Sequence, residues 1–479
     1  MPATQSALSK AALTSVFAMA LLLVAGVRHN YFWGGSLYAV LHGVETLCLL
    51  GFTWFGARGW LRGMAAVREE SPGLRRLLIL SIPILVVAVL VPNFLSQDIV
   101  DYVMRGRILS LHGGNPYVQM AADFPEDPFV AFGDEGWKRF PLPYGPLVAD
   151  LQGLVAWIAH QFSFLPAQAE LWLACTLFKT IFAGSLILSA LTARSICSLL
   201  RPADQDVVFL GVLWNPLLLN EGVAQAHNEP LMLLALLIAV RAMLIGRVAV
   251  GSFTLGMGVL IKIIPVLVAP ILMALATRQK RITALLMGGL GAGVVLAFYY
   301  WRFFTEPGAL DFIQRQSGVI GVTPVSFAAD LFGVDIATAL KGGRIVTSIV
   351  IFAAGVSLWR RPDPRGFLVA CAACLAAMVC FGLGGFRSWY HIWWIPLALL
   401  AGHGFLYRFA WWATVLSPLG YLAWVSMRSY DSPHGILELS SGMLLPALLA
   451  AFWPQRSGPS NRVRPNGRKI LSVQRPANN

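Results

Sequence analysis

The side chains best suited to chemistry lie in short clusters between long apolar runs. The first is Asp98-Ile99-Val100-Asp101-Tyr102-Val103-Met104-Arg105-Gly106-Arg107, followed by Gly113-Gly114-Asn115-Pro116-Tyr117 and Tyr144-Gly145-Pro146. The apolar run 77–95 before it is long enough to cross a bilayer, so Asp98 should emerge near the headgroups. A carboxylate there can take a proton from a bound group or simply interact with a helix N-terminus. On a helix starting near Gln97, Asp98, Tyr102 and Arg105 share one face. Asp101 stands four residues before Arg105, the favourable order for a surface ion pair worth about 0.3–0.5 kcal/mol. The second cluster is His227-Asn228-Glu229, with hydrogen-bonding groups and a carboxylate, and its plainer reading is a polar turn with Asn228 as cap and Pro230 in the first helical turn. In the third, Phe386-Arg387-Ser388-Trp389-Tyr390-His391, two aromatic rings can stack on a ligand while Arg387 and His391 donate to an anion. An interfacial aromatic belt is the competing reading, and Trp393 and Trp394 fit it better.

These clusters must be positioned by membrane helices. Of 479 residues 57% are hydrophobic and only 12% charged, with a mean hydropathy of +0.68, more apolar surface than a soluble core of this length can hide. In hydrocarbon each segment must satisfy its own backbone, which favours helices, so the chain reads as an all-α polytopic membrane protein. The net charge of +13 sits in short loops between apolar runs, the pattern of positive-inside topology and not of nucleic-acid binding.

Loop charge orients the chain. The loop 57–76 carries five arginines against Glu69 and Glu70, and the tail 454–479 carries six basic residues and no acid, so both should be cytoplasmic. Counting from there, the N-terminus is inside, 11–27 is a retained first helix going out, 36–56 returns, and 77–95 goes out again. The loop 96–145, with seven acidic residues against four basic, then faces outward. Arg194, Arg201, Arg241 and Arg247 belong inside, which requires 146–161 to be a juxtamembrane or re-entrant helix and predicts a cavity beside Asp98. By the same parity 248–276 enters and returns, with Lys262 and Pro265 at its bend. Further spans at 284–301, 345–359, 367–383, 392–406, 410–425 and 437–452 bring the count to about 14 membrane segments. One domain, 1–453, is expected, with outer loops at 96–145 and 302–343, the latter a cover over the site, and a disordered basic tail at 454–479.

Taken in order, Asp98, Tyr102, Gly106, Arg107, Asn115-Pro116-Tyr117, Tyr144-Gly145-Pro146, Asn215-Pro216, Glu221, His227-Asn228-Glu229, Lys262 with Pro265 and Pro270, and Trp389-Tyr390 resemble the GT-C glycosyltransferases. The resemblance is to the bacterial mannosyltransferase-like members, of alpha-1,6-mannosyltransferase type, that use a polyprenyl-phosphate sugar, and it covers about 77–396. Glu229 departs from it, since the related pattern more often has Asp. The resemblance implies a GT-C-like helical bundle with a large first outer loop bearing juxtamembrane helices, in the plasma membrane with both termini cytoplasmic. It also implies transfer of a hexose, mannose first, from a polyprenyl-phosphate donor to a hydroxyl of a glycolipid, polysaccharide or protein on the outer face. Asp98 is the general base, a role worth about 10²–10⁴ in rate. His227 bonds the donor phosphate, Lys262 neutralises the leaving group, and Glu229 holds the acceptor or, with Asp98, a divalent ion for which oxygen ligands suit Mg²⁺ or Mn²⁺. Asp101, Tyr102, Arg105, Arg107, Asn115, Tyr117, Tyr144, Asn228, Arg387, Trp389, Tyr390 and His391 are candidates for substrate binding.

Other features have plainer readings. A charge at the bilayer centre costs about 2.5–3.5 kcal/mol, so Lys179 and Lys262 should line a pathway or reach the interface. His42 and Glu45 share a helix face and suggest a buried polar pair. The six cysteines lie in or beside apolar runs and read as packing residues, and Gly288-Gly289-Leu290-Gly291-Ala292-Gly293 follows a basic loop, not a strand, so it reads as a helix-packing surface. A lipid or solute transporter, or an envelope scaffolding protein, would share the helices but would not need Asp98 opposite an acidic outer turn.

Overall fold

The computed structural model describes residues 6–31, 38–311, 321–427 and 432–453. The tail 454–479 and part of the second expected outer loop, 312–320, lie outside them. All regular elements among the described residues are helical. Six helices are long and apolar enough to cross a membrane: Ala7–Arg28, Ala167–Leu200, Ile282–Phe303, Ile336–Arg360, Pro364–Gly382 and Gly435–Phe452. The pair Pro202–Leu213 and Pro216–Ala224, bent by 41°, makes a seventh if it is one span. The protein is therefore a helical membrane protein, and its other expected segments are shorter or broken helices, except 36–56, which lies in one long helix.

Helix boundaries follow local chemistry. The helix α1 (Ala7–Tyr31) packs along α2 (Tyr38–Glu70), which does not stop at Gly56 as the basic loop 57–76 suggested. Nothing between Gly56 and Glu70 breaks a helix. The end comes at Ser71-Pro72-Gly73, where Ser71 takes a φ of +45°. Inside the α1–α2 pair Glu45 binds Arg28. The side chain of His42, the expected partner of Glu45, lies outside the described residues. The expected spans 392–406 and 410–425 are also interrupted, the first by Gly402 and Gly404 at φ values of +81° and +101°, the second by Ser417-Pro418. Much of the expected outer loop 302–343 is helix, Pro324–Phe332 and the start of Ile336–Arg360, the latter capped by Asp335 accepting from the Thr338 amide.

Three short helices position the site. The first, α3 (Leu74–Leu90), ends at Val91, whose carbonyl accepts from the buried Lys179 ammonium on α6 (Ala167–Leu200). Lys179 thus satisfies an orphan carbonyl at a helix end, which is why an intramembrane lysine is tolerated there. After a short connection, α4 (Asp98–Ser110) lies against α5 (Pro146–His160). Only glycine fits at their crossing, because a Cβ on Gly106 would stand 2.1 Å from the Gln152 carbonyl oxygen. A separate apolar cluster including Ile99, Tyr102, Val103, Leu142, Val148, Phe178 and Phe182 anchors both helices to α6. The expected bend at Lys262 is a break: α10 (Val248–Ile261) ends there, Lys262 is extended, and the chain resumes in a 3-10 turn containing Pro265.

Candidate active site

Four elements converge on one cluster. Asp98 is the first residue of α4. Its Oδ2 lies 3.4 Å from Nδ1 of His227 and accepts from the Tyr144 hydroxyl at 3.4 Å, while Tyr102 donates to the Tyr144 oxygen at 3.4 Å. Tyr144 is held by the glycine after it. The Gly145 amide donates to the Ile261 carbonyl at 3.0 Å, and a Cβ on Gly145 would sit 2.1 Å from the Leu260 oxygen. The Tyr144-Gly145-Pro146 sequence therefore lets backbone meet backbone at the end of α10, with proline starting α5. Lys262 follows at that end.

His227 is fixed from both sides by an unusual backbone. Residues Asn220–Ala224 form a π-helical turn and Ala226 is left-handed at a φ of +59°, both costly conformations that cluster at functional sites. Together they turn His227 back so that its Nε2 faces Glu221 Oε2 at 3.5 Å, while its ring stacks on Trp389 at 3.9 Å with planes 19° apart. The neighbouring connection is tied in through Gln225, whose side-chain oxygen accepts from the Leu95 amide at 3.1 Å and whose carbonyl accepts from Asn93 at 3.0 Å. Glu229 opens α9 (Glu229–Leu244) and binds the Lys262 ammonium at 2.5 Å. Three rings surround that ammonium, Tyr144 at 5.3 Å, Trp393 at 5.5 Å and Tyr390 at 5.7 Å.

The electrostatics make Asp98 and His227 an ion pair. Burial pushes the Asp98 carboxyl up, but the hydrogen bond and charge of His227, with Lys262 and Ser96, outweigh it and hold the group below the usual carboxylate range. Burial pulls the imidazole down, but Asp98, Glu221 and Glu229 outweigh it and keep His227 protonated to higher pH than usual. Burial raises both Tyr102 and Tyr144, so their phenols stay available as donors. The arrangement offers an ionised carboxylate able to take a proton, beside two cations able to meet an anion.

The first part of the chain, residues 8–278, matches the family model of the alpha-(1→6)-mannopyranosyltransferase N-terminal domain, more than half of the chain. The chain belongs to this mannosyltransferase family. Comparison with the curated proteins found no match. The protein is thus a membrane glycosyltransferase.

Several residues expected to bind the transferase's substrate are engaged elsewhere. Arg105 pairs with Asp101 and donates to the Phe140 carbonyl, and burial brings its guanidinium down to about 10. Arg107 is committed to two carboxylates, Asp127 at 2.9 Å and Glu170 at 2.9 Å, and so pins the loop 111–145 onto α6. Asn115 donates to the Phe303 carbonyl at 2.8 Å, and the Tyr117 hydroxyl donates to the Tyr144 carbonyl at 2.9 Å. Both support the floor under Tyr144. Arg387 pairs with Glu438 at 3.2 Å. His391 is closed off: Nδ1 accepts from Trp394 at 3.1 Å, Nε2 donates to the Gly442 carbonyl at 2.8 Å, and burial pushes the ring down to about 4. Both nitrogens of this imidazole are thus occupied within the chain. The Asn228 amide, in contrast, is fully buried beside the cluster with neither its oxygen nor its nitrogen hydrogen-bonded among the described residues.

Glu229, the suggested second ligand with Asp98 for Mg²⁺ or Mn²⁺, is neutralised by Lys262. Among the described residues no group of three or more His, Cys, Asp and Glu side chains is arranged to hold an ion. Reading the sequence missed Glu221 and Tyr421 as parts of the site. Glu221 appeared only as a match to the family pattern, and Tyr421, which donates to Glu221 at 3.0 Å, carried no local signal because its partner is 200 residues away.

Proposed function

We propose that the enzyme transfers mannose from a polyprenyl-phosphate donor to an acceptor hydroxyl on the outer face of the plasma membrane, with Asp98 as general base. The observation that carries this reading is the meeting of Asp98, His227, Glu229 and Lys262 from separate elements, a proton acceptor beside cationic partners for a phosphate. The acceptor oxygen attacks the anomeric carbon, and its proton passes to Asp98. The bond from that carbon to the donor's phosphate oxygen breaks, and its electron pair leaves with the phosphate. Lys262, released from Glu229, and His227 meet that charge, an electrostatic contribution of the kind worth about 10²–10³ in turnover.

Sidedness has its own support. Basic residues gather at the far end of α6 from Asp98: Arg194 pairs with Asp206 at 2.6 Å, Arg201 donates to the Leu400 carbonyl at 3.0 Å, and Arg365 donates to Ala401 at 2.9 Å. Arg76 reaches Ser6 and Arg68 reaches Asp204, which puts both ends of the α1–α2 hairpin's basic side there. Phe178, which packs on Tyr102 at 5.8 Å, precedes Arg194 by 16 residues, or about 24 Å of helix. A basic end and an acidic, aromatic end are thus separated by most of a bilayer, and the positive-inside rule assigns the second outward. A site there favours a lipid-carried donor, since the chain has no soluble nucleotide-binding domain among its described residues.

The test is release of polyprenyl phosphate from polyprenyl-phosphate-mannose by the purified protein in lipid, with a membrane-lipid extract as acceptor. Asp98→Asn should lower release by about 10²–10⁴, with mannose appearing on an extract component only with the wild type. Equal release by both proteins would refute Asp98 as base. No release by the wild type from any polyprenyl sugar would refute the donor.

A further inference from the structure

Glu221 takes no part in the chemistry above, yet it is 1% exposed and lies on the side of His227 opposite Asp98. Its carboxylate is held from two sides, with Tyr421 donating to Oε2 at 3.0 Å and Asn220 to Oε1 at 3.2 Å, while its backbone carbonyl accepts from the His227 amide at 3.0 Å. His227 Nε2 has no hydrogen-bond partner among the described residues, so the group it faces is the Glu221 carboxylate. The π-helical turn and left-handed Ala226 are what make this opposition possible, because a regular helix would point residues six apart to different faces.

We propose that Glu221 is a positioning residue that acts through His227, holding the imidazole doubly protonated and aimed at Asp98. The inference rests on Asp98 as the base. Asp98 from α4, Glu229 from α9 and the Trp389 ring on its face also act on His227, while Tyr144 and Lys262, from the end of α10, act on it through Asp98. Asp98 alone could draw the ring either way around. A carboxylate behind Nε2 fixes which nitrogen meets Asp98 and keeps the second proton on the ring, so Asp98 stays ionised and ready to accept a proton.

Glu221→Gln, Glu221→Asp and Tyr421→Phe, in the full chain in lipid, test this by kcat and KM for polyprenyl-phosphate-mannose across pH. Glu221→Gln should lower kcat about 10- to 100-fold, the range for carboxylates that orient imidazoles, with KM within about twofold. Its alkaline limb should move to lower pH by at least about one unit, the effect of losing a carboxylate within about 4–6 Å. Glu221→Asp should restore part of both, and Tyr421→Phe should fall between. A kcat loss equal at every pH, or an alkaline limb that does not move, would overturn the proposal in favour of a packing role. Melting temperature against pH gives a readout independent of turnover. Its alkaline midpoint should shift down in Glu221→Gln and not when the substitution is made in a His227→Gln background, and no shift would also overturn it. If Asp98→Asn kept full transfer, the assignment of the base would fail while this midpoint still reported on Glu221.

Discussion

Removing the charge of Lys262 should do two separable things. Its ammonium and the Glu229 carboxylate are 2.5 Å apart, with side chains 12% and 1% exposed. At an effective dielectric of about 20 and this separation, their attraction is about 7 kcal/mol before the cost of desolvation. Lys262→Met leaves Glu229 buried without its partner, and breaking a buried pair in this way costs about 3–5 kcal/mol. Adding Glu229→Gln replaces a stranded charge by a neutral amide and should recover most of that loss. If Lys262 also meets the leaving phosphate, the double variant should be nearly as stable as the wild type yet release polyprenyl phosphate about 10²–10³ more slowly. Thermal unfolding by tryptophan fluorescence and the release assay, run on wild type, both singles and the double, separate the two effects. A Lys262→Met variant as stable as wild type would refute the buried pair. A double variant that is both stable and active within a few fold would refute the role on the phosphate.

Other consequences follow from the same geometry. Asp98, held below the usual carboxylate range, contributes stability that is present above its unfolded value and lost as pH falls through its folded one; His227 is raised from 6.5, so its contribution is present below that value and lost as pH rises through the raised one. Transfer measured across pH should therefore show an acid limb below the usual carboxylate range and an alkaline limb above 6.5, and the acid limb should vanish from the residual rate of Asp98→Asn. Gly145→Ala forces a Cβ toward the Leu260 oxygen, which should cost about 1–3 kcal/mol of stability and raise KM as Tyr144 moves, whereas Gly184→Ala, inside α6 with open space around it, should leave KM unchanged and stability no lower. Arg107→Met leaves Asp127 to His112 and the Phe129 amide and Glu170 to His160, and should cost less than the ~3–5 kcal/mol of a fully broken buried pair, read as proteolysis within residues 111–145, while Arg107→Lys should recover only part because it cannot fork between two carboxylates.

How much of this was legible in the sequence depended on the range of the interaction. Asp98, His227, Glu229 and Lys262 could be picked out because a charge beside or inside an apolar run is costly and so implies a use. Tyr144-Gly145-Pro146 was visible as a pattern, but the reason for its glycine is a backbone contact with Leu260, more than a hundred residues away. The same limit holds for the partners of the cations. Nothing local tells that Arg107 meets Asp127 and Glu170, or that both nitrogens of His391 are occupied by Gly442 and Trp394. Helix ends were read from charge where they are set by breakers, so α2 runs on to Ser71-Pro72-Gly73 through residues expected to form a loop. Lys179 was undecidable from composition because its use, capping α3 at Val91, requires knowing which helix end it faces.

The family match ends at residue 278, and the site does not. Asp98, Glu221, His227, Glu229 and Lys262 all fall within it, so the matched part carries every group assigned to proton transfer and charge neutralisation. What the rest of the chain adds is aromatic. Trp389 covers the face of His227, Tyr390 and Trp393 stand around the Lys262 ammonium, and Tyr421 holds Glu221. Removing that wall would admit water to an ion pair whose strength depends on exclusion from it, returning Asp98 and His227 toward ordinary acidities. The N-terminal part therefore supplies the groups proposed to react, and the later helices supply the low-dielectric surroundings in which those groups would hold the charges that the proposal needs.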